Sequence, residues 1–234
     1  MQPTKWLLPY DLYERHQVVA RLIAMRHHNT ARVLDVGGRC GLLAGFTFCW
    51  VWSVNIDGKG DVLADGQRLP FASASFDIVT AIDTLEHLPR HRRLDFVSEC
   101  WRVSARDVII AAPYDSPGHA EVECRLNALC LRITGQPHPY LSEHIQNGLP
   151  GQSDIQAMIE RTRPASWRLC FAGDYRREAA HFAAAIQTQT KHSLLARVSG
   201  LLTYLHSRAL FNRLSLTEHP TPHANRFYLL LSKS

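Results

Sequence analysis

The chain has 234 residues, 46% of them hydrophobic and 20% charged, with 26 Lys and Arg against 21 Asp and Glu. That length suits one large domain or two small ones, and the composition excludes a disordered or fibrous chain. A net charge of +5 is too mild to call for a nucleic-acid partner. No uncharged apolar run reaches the ~18 residues that a membrane-spanning helix needs.

Met1 to Tyr10 is broken by Pro3 and Pro9 and carries no signal-like apolar stretch. The six cysteines form no C-x-x-C pair. Reduced thiols in a cytoplasmic protein are therefore expected.

Residues 10–28 are predicted to be helical, since Leu12, Val19, Leu22 and Ile23 recur near helical spacing. Arg32–Val36 reads as a short buried strand that runs into glycines. Further strands are predicted at Cys49–Ile56, Asp61–Ala64, Phe76–Ile82 and Asp107–Ala112, with a helix over Pro89–Val103 before the last of these. Continuous apolar strands alternating with helices indicate a parallel sheet covered on both faces. One link departs from that rhythm. Only four residues separate Asp57 from Val62, too few for a crossover helix, so a tight loop is expected there.

Residues 114–165 are rich in Pro, His and Glu and read as a loop-and-helix insert over the carboxyl edge of the sheet, where such folds bind ligands. Trp167–Ala172 and Asn225–Ser232 complete the strands. The stretch from Ala179 to Thr217 has no acidic residue, and its leucines recur at helical spacing. A basic amphipathic helix near 191–213 would suit either the core or peripheral contact with an anionic membrane.

Asp35-Val-Gly37-Gly38-Arg39-Cys-Gly41 follows the first strand. Glycines there bring backbone N–H groups close to a ligand at a helix N-terminus. Asp57 ends the second apolar run, where a carboxylate can accept from both ribose hydroxyls. The dinucleotide fingerprint needs glycine at 36, and Val36 breaks it, which argues against a nicotinamide enzyme.

The strings VLDVGGRCG, NID and ADGQRLPFASASFDIVTAIDTLEHLP resemble the class I S-adenosylmethionine-dependent methyltransferases, most closely the type 11 branch. The resemblance spans residues 31–113 and continues more weakly through HPYLSEHIQNGLP. It implies one Rossmann-like α/β domain over 1–234, three-layered and doubly wound. Its sheet would have seven mostly parallel strands and a reversed final strand. The cofactor half would be 31–113, the inserted lid 114–165, and a closing helix and strand 166–234.

It further implies S-adenosyl-L-methionine as cofactor, with S-adenosyl-L-homocysteine as product. Asp35, Gly37, Gly38 and Gly41 match the turn that cradles the methionine end, Asp57 the ribose acid, and Asp65 with Gly66 the adenine site. Ala81 to Asp83 match the segment along the methionine moiety. The family's middle glycine is Arg39 here, which would either face solvent or enter the pocket.

Methyl transfer is an in-line displacement in which the protein mainly positions the reactants. A hydroxyl acceptor also needs a base. His87, with Glu86 to orient it or hold substrate, is the best-placed pair beyond the fourth strand. In related ubiquinone-pathway O-methyltransferases a similar string binds a divalent cation, which would make Asp83, Glu86 and His87 ligands. Even so, no metal is expected. Tyr114, His119, Glu143 and His144 are the substrate-side candidates, with Glu121, Glu123 and His138 nearby in the insert. The expected activity is O-methylation of a small molecule or saccharide, with no nucleic-acid partner. The alternative is a non-catalytic methyltransferase-like scaffold with Arg39 in the cofactor pocket.

Overall fold

A computed structural model describes residues 8–27, 30–189 and 215–233. Seven strands form one mixed sheet: β1 (Arg32–Val36), β2 (Trp50–Asn55), β3 (Val62–Leu63), β4 (Phe76–Ile82), β5 (Ser104–Pro113), β6 (Ser166–Asp174) and β7 (Ala224–Ser232). Their order is β3-β2-β1-β4-β5-β7-β6. β1 to β5 pair in parallel, and β7 runs antiparallel to both β5 and β6. The expected seven-stranded α/β sheet with a reversed final strand is therefore present. All nine residues of β7 are buried, as befits a strand inserted between two others.

Each face carries its own core. On one face α2 (Arg90–Val103) and α5 (Gln152–Thr162) pack Phe96, Val97, Cys100, Ile155 and Met158 against Leu34, Val79 and Ile110. On the other, α1 (Tyr10–Arg26) packs Val18, Val19, Leu22 and Ile23 against Val33, Ile78 and Ile109. Neighbouring strand residues alternate between these two clusters, which is the period-2 signature of a sheet buried on both sides. The basic stretch near 191–213 lies outside the described residues.

The β2–β3 link is the tight loop that its length required, turning at Gly58 with φ +76°. The β1–β2 link departs from expectation. No α-helix follows the glycine turn, only a single 3₁₀ turn at Leu43–Gly45. Glycines at 37, 38, 41 and 45 each disfavour a helix by ~1 kcal/mol, and the few residues left cannot offset nucleation. The backbone donors of the glycine turn thus belong to a loop. α1 covers this region instead: Phe46 packs on Tyr13 and His16, with ring centroids 5.7 and 5.5 Å apart.

The segment after β5 is helical. α3 (His119–Thr134) starts after Gly118 and stops at Gly135, both with φ +80°. α4 (Pro139–Asn147) has Pro at its first turn and lies against the 3₁₀ turn Leu85–His87 that follows β4. α5 belongs to the core layer, with Ile155 and Met158 fully buried, whereas α4 leaves Ile145 43% exposed. α6 (Tyr175–Gln189) packs along α3.

This difference sets the first expectation. Ile155→Ala should lower unfolding free energy by ~2–4 kcal/mol in urea, and Ile145→Ala by less than about 0.5 kcal/mol. Equal losses would contradict the assignment of α5 to the core.

Candidate active site

The parallel strands β1, β2 and β4 bring three loops to one edge of the sheet. At the end of β1, Asp35 is 1% exposed. Its Oδ1 accepts from the Thr80 hydroxyl at 2.8 Å, while its Oδ2 is buried with no partner. Burial pushes the Asp35 carboxyl up to about 7, against the opposing pull of Thr80 and Arg15. Gly37 takes φ +82°, and a Cβ on Gly38 would meet Asp35 Oδ2 at 2.1 Å. The turn is therefore built for glycine, with a buried carboxylate oxygen beneath it.

Arg39 is exposed, and the hydrogen bonds from Lys59, with a smaller pull from Arg39, hold the Asp57 carboxyl low. Asp57 is exposed and accepts from the Lys59 ammonium at 2.7 Å. Asn55, which the sequence reading did not single out, ties the turn to β2 by donating to the carbonyls of Gly37 (2.9 Å) and Gly38 (3.2 Å). Asp65 is exposed and caps the amide of Gln67 at 2.9 Å. Gly66 is pressed on the core: a Cβ there would lie 2.6 Å from Phe96 and 2.9 Å from Val36. Gly41 takes φ +75° with open space around it.

Ala81 is buried within β4, and the chain beyond the strand turns at Asp83, whose φ of +48° is rare for a non-glycine residue. A clamp holds it there. Arg226 of β7 donates to both carboxylate oxygens, from Nε at 2.8 Å and Nη2 at 2.7 Å. Arg15 of α1 donates to Oδ2 as well. Burial opposes ionisation of Asp83, but Arg15 and Arg226 outweigh it and hold the carboxyl far below the usual range. Arg226 sits in an apolar strand with no motif to mark it.

The next turn carries Glu86 and His87. Glu86 is fully buried, and neither carboxylate oxygen has a partner. Burial and repulsion from Asp83 push its carboxyl up. Of the two roles expected of Glu86, to orient His87 or to hold substrate, the first falls to Glu143 of α4, which accepts from His87 Nδ1 at 2.6 Å. His144 Nδ1 donates to Glu123 of α3 at 2.9 Å, and its Nε2 lies 4.0 Å from Glu86 Oε1. Burial pulls the His144 imidazole down, yet Glu123 and Glu86 more than compensate and raise it.

His119 stands at the edge of this group. Its Nδ1 donates to the Tyr114 carbonyl at 2.7 Å, and its Nε2 is 4.0 Å from Glu123. The Tyr114 ring instead packs edge-on against Phe171 in the core. Arg93 fixes α4 over the turn: it is 1% exposed and donates to the carbonyls of Leu88, Asn147 and Gly148. Asn147 in turn donates to the His87 carbonyl at 2.9 Å. Glu86, His87, His119, Glu143 and His144, drawn from three separate stretches of the chain, thus gather beyond β4, while Tyr114 does not present its ring to them.

Removing one partner from a buried ion group costs ~3–5 kcal/mol. Asp83→Asn should cost that much at neutral pH. The native carboxyl titrates below its unfolded value, so its contribution is in place above about pH 4 and fades as pH falls further. The gap between the two proteins should accordingly narrow in acid. A pH-independent gap would contradict the clamp.

Residues 52–112, from β2 to the penultimate residue of β5, match a family model described as "Methyltransferase domain". No curated protein matches the sequence. Among solved structures, a possible histamine N-methyltransferase from Thermotoga maritima aligns with 98% of this chain and 94% of its own, at 12% identity and a TM-score of 0.60. The YcgJ protein of Bacillus subtilis aligns with 93% of this chain and 98% of its own, at 17% identity and a TM-score of 0.53. A Haemonchus contortus phosphoethanolamine N-methyltransferase, solved with S-adenosylhomocysteine, aligns with 93% of this chain and 52% of its own, at 15% identity and a TM-score of 0.53. At these identities the structures speak for the fold. The family match identifies the β2–β5 segment as methyltransferase-like, and the neighbours share the chain's seven-stranded fold with the reversed β7.

Proposed function

We propose that the protein transfers the methyl group of S-adenosylmethionine to a hydroxyl of a small-molecule or saccharide acceptor. In this reading Gly37, Gly38 and Gly41 give the cofactor's methionine end close access to the backbone, and Asp35 faces its ammonium. Asp57 takes the ribose, Asp65 with Gly66 the adenine, and the Ala81–Asp83 segment runs along the methionine moiety. The exposed Arg39 leaves the turn open, which weighs against the scaffold alternative.

The observation that carries the reading is the histidine–carboxylate group beside this turn. In-line transfer needs the acceptor oxygen aligned and water kept out. It also needs the hydroxyl to lose its proton, a contribution of ~10²–10⁴ in rate. His87 is suited to that task. Its Nδ1 proton is committed to Glu143, which fixes the tautomer and leaves Nε2 as the acceptor nitrogen. His87 and Glu86 are the residues that activate the hydroxyl, while Glu143, His144 and His119 shape the acceptor pocket.

A panel of polyols, saccharides and amines, incubated with methyl-labelled cofactor, tests the acceptor class. Label on a hydroxyl is expected; label only on amines would overturn O-methylation. His87→Ala should lower turnover by about 10²-fold or more with cofactor affinity unchanged. Full turnover in that variant would remove His87 from the chemistry.

Asp35 yields a separate expectation. Its carboxyl is near 7 when the pocket is free, and the bound ammonium favours the ionised form. Cofactor affinity should therefore rise about tenfold from pH 6 to pH 8 in wild type and stay flat in Asp35→Asn. A flat profile in both would place the ammonium elsewhere.

A further inference from the structure

Two histidines and one glutamate in the candidate site converge in a way that the methyl-transfer reading leaves unexplained. Glu86 is 0% exposed, and both of its carboxylate oxygens lack a partner. Leaving such a group unsatisfied is costly, more so for a charged group than for a neutral one. His144 Nε2 is likewise buried and unpartnered, and it points toward Glu86 Oε1 at 4.0 Å. One ligand-type atom each from Glu86, His87 and His144 lie within 4.8 Å of one another.

The surroundings of the two imidazoles are specific. His87 Nδ1 is held by Glu143 at 2.6 Å, and His144 Nδ1 by Glu123 at 2.9 Å. A carboxylate on one ring nitrogen sets the tautomer and makes the other nitrogen a better metal donor, the arrangement commonly found around metal-bound histidines. Here it occurs twice, and both free Nε2 atoms belong to rings 4.9 Å apart, centroid to centroid. Asp83 is not part of this set, because Arg15 and Arg226 occupy its oxygens.

We propose that Glu86, His87 and His144 form a binding site for a divalent first-row transition cation, with Glu143 and Glu123 as supporting carboxylates. Two imidazoles and one carboxylate suit such an ion, whereas magnesium and calcium favour all-oxygen sites. Metal–ligand bonds of ~2.0–2.2 Å bring ligand atoms ~3 Å apart, so small side-chain rotations close the site. Three protein ligands leave a position open for an acceptor oxygen, whose proton the cation makes more acidic. This deepens the proposed function and rests on it for that last role: with a cation bound, His87 Nε2 would be a ligand, and the acidified hydroxyl would give its proton to solvent water instead of to His87. The binding site itself rests only on the geometry.

The test uses the full chain after dialysis against EDTA. Calorimetric titration with Zn²⁺, and the visible absorption of bound Co²⁺, should report one site per chain with micromolar or tighter affinity. Glu86→Gln, which keeps shape, and His144→Ala should each weaken it by tenfold or more, and Glu123→Gln by about tenfold. His91→Ala, at an exposed position on α2, should leave it unchanged. Circular dichroism confirms that each variant is folded, and Glu86→Gln alone suffices should His144→Ala fail to fold. Absence of a one-to-one site, or affinity indifferent to Glu86→Gln, overturns the proposal. S-adenosylhomocysteine is titrated in parallel. If it binds while Zn²⁺ does not, the metal site is wrong and the methyltransferase reading stands. If neither binds to folded protein, both fall.

Discussion

The clamp of Arg15 and Arg226 on Asp83 is the interaction on which the rest of the site depends. It joins α1 and β7, from opposite ends of the chain, to the end of β4. Asp83 sits in a left-handed conformation that an L-residue adopts only under constraint. Two guanidiniums on one carboxylate supply that constraint. They also aim the chain into the 3₁₀ turn that carries Glu86 and His87. The reversed insertion of β7 is thus more than a feature of topology, since it brings Arg226 beneath the site.

From that anchor the site assembles by layers. Arg93 and Asn147 pin the end of α4 onto the turn, which sets Glu143 against His87 and His144 toward Glu86. α3 then adds Glu123 on the far side of His144. The insert therefore supplies His119, Glu123, Glu143 and His144, and the edge of the sheet supplies Glu86 and His87. A cofactor held over Asp35 and the glycine turn would lie along β4, beside this group. That juxtaposition of a methyl donor and a proton-accepting pocket is the basis of the proposed activity.

Much of this was legible in the sequence, for identifiable reasons. Phe76–Ile82 has the predicted bounds because its apolar run is cut off on both sides. The loop after Asp57 was forced by length alone. The glycine turn and the L-E-H-L string carry local chemistry that spacing preserves. What escaped were contacts between distant segments. Nothing local marks Arg226 in a strand of apolar residues, nor Asn55 as the tie beneath the glycine turn. Glu86 and His87 are adjacent in the chain, which suggested that one orients the other. Their side chains make no hydrogen bond to each other, and the partner of His87 Nδ1 lies 56 residues away. The missing helix after β1 has a different origin: the glycines that suggested ligand approach also deny the helix, together with Gly45.

The central claim is that the pocket over Asp35 takes S-adenosylmethionine and not a dinucleotide. Calorimetric titration of the purified protein with S-adenosylhomocysteine, with NADH as control, tests it most directly. The account predicts micromolar one-to-one binding of the former and none of the latter. Binding of NADH alone, or of neither ligand to folded protein, would contradict it.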